Sequence, residues 1–293
     1  MNKIAIVIPY YKIDFFEETI ASVAMQTDKR FTLYIGNDAS PDDPLPIIEK
    51  YFIEGSYRFF NYKENLGGKN LALQWERILE NVEEEWFQIL GDDDMISENF
   101  VEEFYQNIAE VEQEKINVIK VSQKWIDENN VELNQGTSLQ PLIDAKTQFL
   151  VEYSHQFRAS LSEHIFKKIE FCKYGFKKFP LAWHSDNLAV YETSGFSKLF
   201  FLQNSLVKVR MSEVNISNRK DDYAIKLYAS HLYREFLIKR YYPILTKEFI
   251  EVELRKYREY LWKYNYETNI PLFKIYLKLG LLKKAFGYLI HRK

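Results

Sequence analysis

Over the first hundred residues, short apolar runs alternate with stretches of helical periodicity, and few folds accommodate that order. "KIAIVIPYYK" is a β-branched run ended by Pro9, which predicts a buried strand and then a loop. "FFEETIASVAMQT" sets Phe16, Ile20, Val23 and Ala24 at helical spacing. "FTLYIGNDAS" predicts a second strand ending in Asp38, and Pro41 to Pro46 leads into a helix around Ile47 to Phe52. "YRFFNYKE" reads as a third strand, "NLGGKNLALQWERILENV" as a loop opening into a helix, and "EWFQIL" as a fourth strand. Strand–helix alternation predicts an α/β fold, a mostly parallel sheet flanked by helices. Ligands of such sheets sit beyond the carboxyl ends of the strands. Asp38, Asn65 and the triplet Asp92–Asp94 all follow strands, so one site can gather them.

The second hundred residues are less regular. "ENFVEEFYQNIAEVEQE" predicts a helix, "INVIKVSQKWID" a strand, and Glu132 to Ile143 a loop, with shorter elements following to Ser217. From Asp221 onward the pattern is helical. The expected organisation is a domain over residues 1–219, with a ligand-binding half at 1–100 and a second half at 101–219, then a helical extension at 220–293.

Composition removes several classes. With 46% hydrophobic and 28% charged residues the chain has the balance of a folded globular protein. Aromatics reach 16%, which suits either a sugar-stacking surface or an aromatic core. A net charge of -3 argues against nucleic acid as a partner. The single cysteine, Cys172, excludes an intrachain disulfide and a multi-cysteine metal site. Neither a Walker loop nor a G-x-G-x-x-G fingerprint occurs. The run Ile4 to Ile8 is too short for a signal peptide, and no apolar stretch has transmembrane length, so a cytoplasmic location is expected.

The triplet in "WFQILGDDDMISENF" admits two readings. One is an acidic turn capping the helix after Ser97. The other is a divalent-cation site, since Mg²⁺ and Mn²⁺ take hard oxygen ligands from one or two carboxylates together with phosphate oxygens and water.

Four landmarks, "IAIVIPYYK", "LYIGNDASPDD", "ENLGGKNLALQ" and "ILGDDDMI", occur in order with matching strand context. In these the chain resembles the inverting, nucleotide-sugar-dependent glycosyltransferases of family 2, with the GT-A fold, over residues 3–100 and more weakly around 183–219. The resemblance implies a loop enclosing the nucleotide at Pro9, Tyr10 and Tyr11, and a base contact from Asp38. It also sets Asn65, Gly67 and Lys69 near base and phosphates, and ribose and metal at the Asp triplet. Many relatives have Asp where this chain has Gly91, so the triplet is shifted. The assignment carried forward puts Asp92 near the ribose and Asp93 on the metal, with Asp94 as an outer or second ligand. The implied cofactor is Mn²⁺ or Mg²⁺, the donor a nucleotide sugar with UDP-sugars foremost, and the acceptor a glycan or lipid-linked saccharide of a cell-surface polysaccharide pathway.

Relatives also carry their catalytic base before a helix well downstream of the triplet. "LAWHSDNLAVYE" fits with Asp186 as base and Ser185 in place of the usual Glu, although either residue also suits a helix cap. His184 stands as a metal or diphosphate contact or a structural histidine, and Trp183 as an acceptor stacker or a core residue. Arg210, Ser217 and Arg219 line the diphosphate or belong to a basic surface loop. His155 and His164 receive no role. Residues 270–293 are rich in Lys and apolar side chains and contain no acid. Such a segment either lies on an anionic membrane, here the cytoplasmic face of the inner membrane, or packs on its own domain. The rival readings are a sugar-1-phosphate nucleotidyltransferase, whose Gly-rich first loop "VIPYYKIDF" lacks, and a catalytically dead carbohydrate-binding protein of the same fold.

Overall fold

The computed structural model describes residues 2–154, 159–211, 221–268 and 270–290, in two compact units, Met1–Asp222 and Tyr223–Lys293. In the first unit β1 (Ile4–Tyr10), β2 (Phe31–Asp38), β3 (Tyr57–Tyr62) and β4 (Trp86–Ile89) alternate with α1 (Phe16–Ala24), α2 (Leu45–Tyr51) and α3 (Leu71–Leu79). There follow β5 (Met95–Ile96), α4 (Phe100–Gln113), β6 (Val118–Ile126), β7 (Leu142–Asp144), α5 (Ala145–Tyr153), β8 (His164–Lys167) and α6 (Lys168–Phe171). A 3₁₀ turn at Pro180–Ala182, α7 (Ser185–Thr193) and β9 (Lys198–Arg210) complete the unit.

These strands form one nine-stranded sheet in the order β3-β2-β1-β4-β8-β6-β9-β5, with β7 also on β9. Strands β1 to β4 are parallel, as the alternation predicts, and β6 runs parallel to β9. Strand β8 is antiparallel to both neighbours and so joins the two halves. Ile4 to Ile8 are each 0% exposed apart from Pro9 beyond them, which explains a continuous apolar run rather than an alternating one. The core continues through Trp86, Phe100, Phe104 and Val121.

The irregular region departs from the sequence reading in two places. Glu132 to Ile143 is not wholly loop, because Glu132 bridges Ile126 and β7 begins at Leu142. Strand β9 is 13 residues long, where shorter elements were expected. Its pattern is broken by exposed Gln203 and Asn204, and its pairing with β6 shifts register between Val121 and Ser122. A shifted register moves side chains to the opposite face and blurs the alternation that identifies a strand.

The second unit is helical, with α8 (Tyr223–Tyr241), α9 (Lys247–Tyr264), α10 (Leu272–Lys278) and α11 (Leu282–Ile290). Ala229, Tyr233, Leu237, Ile250, Leu254 and Tyr257 are buried in it, and Arg234 pairs with Glu253 at 2.7 Å. Leu272, Ile275, Tyr276 and Ala285 are buried too, while Leu282 and Phe286 stay exposed. Lys278 donates to Tyr242 Oη and Lys284 to Glu251, both at 2.7 Å. Among the described residues no helix is long and apolar enough to cross a membrane.

Gly36 on β2 is the close approach that seats α3 on the sheet. A Cβ there would lie 2.4 Å from Ile78 Cδ1 and 2.5 Å from Ile78 Cγ1. Gly36→Ala is therefore expected to displace α3 and lower stability by about 1–3 kcal/mol, read as a lower urea midpoint. An unchanged midpoint would show that Ile78 repacks freely.

Candidate functional site

A cleft of about 200 Å³ opens at the carboxyl ends of β1, β2 and β4. Pro9, Tyr10, Tyr11, Asp38 and Asp92 line it, together with Gly91, Leu71, Gln74, Trp75, Ile89, Leu161 and Ser162. The fold thus gathers five of the residues expected around a nucleotide. Tyr10 is buried, with its hydroxyl donating to Asp42 O at 3.1 Å, whereas Tyr11 is 42% exposed.

The three carboxylates of the triplet have different work. Asp92 Oδ2 accepts the N–H groups of Tyr11 and Lys12, both at 2.8 Å, and so pins the loop after β1 across the cleft. Asp94 is buried; its Oδ1 accepts Arg210 N at 2.9 Å and its Oδ2 accepts Ser162 Oγ at 2.5 Å. Asp94, expected as an outer or second metal ligand, accepts one bond from the protein on each oxygen. Burial, and then the neighbouring Asp93 charge, push the Asp92 carboxyl up to about 7 and the Asp94 carboxyl up to about 8. Gly91 makes this crowding sterically possible, since a Cβ there would lie 2.9 Å from Asp94 Oδ2 and 3.2 Å from Asp93 Oδ1.

Asp38 anchors the segment after β3. Its Oδ1 accepts Leu66 N at 2.8 Å and Arg77 Nη2 at 2.6 Å, and its Oδ2 accepts Gly67 N at 2.7 Å. A carboxylate offers about four acceptor positions, so one remains on Oδ2 for a ligand N–H. Burial raises the Asp38 carboxyl against the opposing pull of these N–H groups and Arg77. Gly67 has no Cβ because one would sit 2.6 Å from Asp38 Oδ2. Asn65 accepts Gly68 N at 2.5 Å and thereby shapes the turn, and Lys69 pairs with Glu64 at the surface. Asn65, Gly67, Lys69 and Asp93 are not among the residues lining the cleft.

Asp186 lies in the first turn of α7, half-buried, where an acid suits the helix dipole. The residue before the helix, His184, makes no side-chain cap, and Ser185 is no cap either, since its hydroxyl donates to Lys177 O. Burial raises the Asp186 carboxyl above its ordinary value; the N–H groups of Asn187 and Asp186 oppose that, and Glu152 adds to it. The approach to the helix is strained, with φ of 58° at Leu181, 53° at Ala182 and 67° at His184. Non-glycine residues in this region cost energy and cluster at functional sites. The approach is tied to the cleft wall: Asn70 caps α3 by accepting Ala72 N at 3.0 Å and donates to Phe179 O at 2.7 Å.

Arg210 is not on a surface loop, since it ends β9 and is buried. Its side chain is 0% exposed and donates to Asp93 O, Asp127 O, Asn130 Oδ1 and Glu18 Oε2 at 2.6–3.1 Å. His155, Ser217 and Arg219 lie outside the described residues, as do Arg292 and Lys293 of the basic tail. His164 is buried, and burial first, then Lys120, lowers it to about 3, so it is neutral. Sequence reasoning missed Ser162, Gln74, Trp75 and Arg77. Arg77 and Gln74 were legible only as polar positions of an amphipathic helix, and Ser162 lies in no recognisable motif.

The bonds of Asp94 generate a mutational contrast. Asp94→Ala leaves the buried Arg210 N–H and Ser162 hydroxyl without their acceptor, at roughly 1–3 kcal/mol for each group. Asp94→Asn keeps an oxygen for Arg210 N and is expected to retain most of the stability in a urea titration. Equal midpoints for the wild type and Asp94→Ala would remove Asp94 from the framework.

A family model described as glycosyl transferase family 2 matches residues 5–169. No curated protein matches the chain. Among solved structures, residues 1–349 of S. aureus TarS in complex with UDP-GlcNAc superpose with a TM-score of 0.59 at 16% identity, over 83% of this chain and 73% of that one. S. aureus TarS itself gives 0.56 at 16% identity, over 84% of this chain and 44% of TarS. TarS 1–349 alone gives 0.58 at 13%, over 90% and 92%. Identities this low speak for the fold, which is GT-A, while the family model covers more than half of the sequence. The chain belongs to glycosyl transferase family 2.

Proposed function

We propose that this protein transfers a sugar, with inversion, from a UDP-sugar to a hydroxyl of a glycan or lipid-linked saccharide in cell-surface polysaccharide synthesis. The observation that carries the reading is the cleft at the strand ends, which brings Asp38 and Asp92 together under the loop of Pro9 to Lys12. The remaining acceptor position on Asp38 suits a base imide N–H, and Asp92 keeps Oδ1 toward the ribose. The TarS complex with UDP-GlcNAc supports a UDP-sugar as donor by analogy of fold.

In a single displacement, the acceptor oxygen attacks the anomeric carbon opposite the diphosphate, and the bond from that carbon to the diphosphate oxygen breaks. The acceptor's proton goes to Asp186, whose raised carboxyl makes it a better base than an exposed Asp. The donor set fits a divalent cation: burial and mutual repulsion disfavour the charged carboxylates of the triplet, and a cation would offset both. Among the described residues no group of three or more His, Cys, Asp or Glu forms a ready-made cage. Mn²⁺ or Mg²⁺ would be held by Asp93, with Asp94 as an outer or second ligand, and completed by phosphate oxygens. When bound, the ion neutralises charge developing on the departing diphosphate.

Thermal-shift assays with UDP and Mn²⁺ are expected to raise Tm for the wild type and for Asp186→Asn, and not for Asp93→Ala. UDP release from UDP-GlcNAc by Asp186→Asn should fall by roughly 10²–10⁴. UDP protection that persists in EDTA would end the metal assignment, and normal turnover in Asp186→Asn would falsify the base.

The same reading puts the enzyme at the cytoplasmic face of the membrane through residues 270–293. Support comes from exposed Leu277, Leu282 and Phe286 beside Lys274 and Lys283. Each basic residue near an anionic surface contributes about 1 kcal/mol. Salt-sensitive sedimentation with phosphatidylserine liposomes is expected, and truncation after Thr268 should abolish it. Equal pelleting of both proteins would assign the segment to packing alone.

A further inference from the structure

A cluster of ionisable side chains lies beneath α7, away from the cleft, and the chemistry above does not use it. Lys120 on β6 is 0% exposed, between Ile119 and Val121 in the core. Its Nζ donates to Glu152 Oε1 at 3.1 Å and pairs closely with Glu163, and it lies 3.4 Å from His164 Nε2. Glu152 on α5 is fully engaged. Its Oε1 also accepts Gln148 Nε2 at 2.8 Å, and its Oε2 accepts Tyr191 Oη at 2.6 Å and Asn187 Nδ2 at 3.2 Å. Asn187 and Tyr191 are four residues apart and share one face of α7. They follow Asp186 directly and one turn later.

The other end of the cluster reaches the Asp triplet. Glu163 follows Ser162, whose hydroxyl donates to Asp94 Oδ2 and accepts Gly91 N at 3.0 Å. Gln88 on β4 fixes the same segment by donating to Ser162 O at 2.6 Å, and Val121 N donates to Glu163 O at 2.8 Å. A continuous path of hydrogen bonds and short backbone therefore runs from Asp94 through Ser162–Glu163, Lys120 and Glu152 to the first two turns of α7.

We propose that Glu152 is a positioning residue for Asp186: with Lys120 and Glu163 it locks α7 to the segment that holds Asp94, so that base and donor carboxylates keep one separation. The proposal rests on the reading of Asp186 as base. A transfer reaction needs that fixity, because a shift of about 1 Å in a reacting group can cost 10²-fold in rate. Charge balance within the cluster agrees. Burial raises Glu163 to about 7 despite Lys120, its Oε2 has no hydrogen-bond partner among the described residues, and His164 is neutral. Lys120 is held above its usual value by Glu152 and Glu163, which outweigh burial. Burial pushes Glu152 up, but Lys120 and the other donors bring it below its usual value, so Glu152 is the ionised partner. The charged group that acts on Asp186 is then Glu152 of α5, itself paired with Lys120 of β6, which also pairs with Glu163 just before β8; Lys177 before α7 pairs with Glu192 on α7 at 3.1 Å.

Two variants of the full chain test this. Tyr191→Phe removes one bond to Glu152 and keeps the ring against Phe149; Glu152→Gln removes the charge. Both should lower kcat for UDP release from UDP-GlcNAc by about 10- to 100-fold with donor KM and UDP-induced Tm shift unchanged. Neither should lower it further in an Asp186→Asn background. A ¹³C titration of the Asp186 carboxyl, which needs no substrate, should move to lower pH in Glu152→Gln, because a nearby negative charge is gone. An unaltered Asp186 titration in folded Glu152→Gln, or wild-type kcat in Tyr191→Phe beside an inactive Asp186→Asn, overturns the positioning role and leaves the base reading intact. Normal turnover in Asp186→Asn removes the base reading instead. If Glu152→Gln does not fold, Tyr191→Phe carries the test alone.

Discussion

The buried carboxylate of Asp94 is the tie on which the ligand end of the sheet depends. One oxygen holds the last residue of β9 and the other holds Ser162, just before β8, so a single side chain joins strands that enter the sheet from distant parts of the chain. Burial and the Asp93 charge make this carboxyl costly to ionise, and its bonds to Arg210 N and Ser162 Oγ offset part of that cost. Asp92 turns the opposite way to hold the loop after β1, and Asp93 stands between the two. Three consecutive carboxylates are thus tolerated because their partners differ. The missing Cβ of Gly91 is what lets the turn close around them.

Much of the first hundred residues was legible because period and chemistry agree there. β4 and, Pro9 apart, β1 are buried throughout, β2 is buried from Leu33 on, and β3 at the sheet edge is half-buried to exposed; Asp38 ends β2 and Asp92 follows β4. Sequence could not show that Asp38 is held by Arg77, since that bond joins β2 to α3 across 39 positions. Nor could it show that Arg210, written among basic and polar residues, would be fully buried under Glu18, Asn130 and Phe15. Long β9 was hidden by its own register shift against β6. In each case the missing information is a contact between distant segments, which no local pattern encodes.

Lys120 is the place where local pattern and structure conflict most. It sits among Val118, Ile119 and Val121 in the interior, where a leucine or isoleucine would avoid the desolvation of three ionisable groups. Buried ion pairs are commonly neutral or worse for stability than apolar replacements. Violations of this kind are expected where function sets the requirement. The geometry identifies what the cluster supplies here: direction. An apolar contact holds α7 against the sheet at almost any rotation, whereas Glu152 accepting from Asn187 and Tyr191 fixes which face points inward and hence where Asp186 points.

The aromatic excess, which sequence left open between sugar stacking and core, divides along the same line between rigid and adaptable parts. Phe87, Phe166, Phe171, Phe176 and Trp75 form successive ring contacts with centroids 4.8–5.8 Å apart, running from the sheet to α3 at the wall of the cleft. These rings are core, and they make that wall stiff from behind. Tyr11, on the loop that Asp92 pins, is the aromatic side chain lining the cleft that remains substantially exposed. A site whose walls are backed by packed rings and whose cover is a loop held by two backbone N–H groups combines fixed geometry with an entrance. The carboxylates stay in register on the rigid side, and Asp92 ties the loop to them through its two bonds.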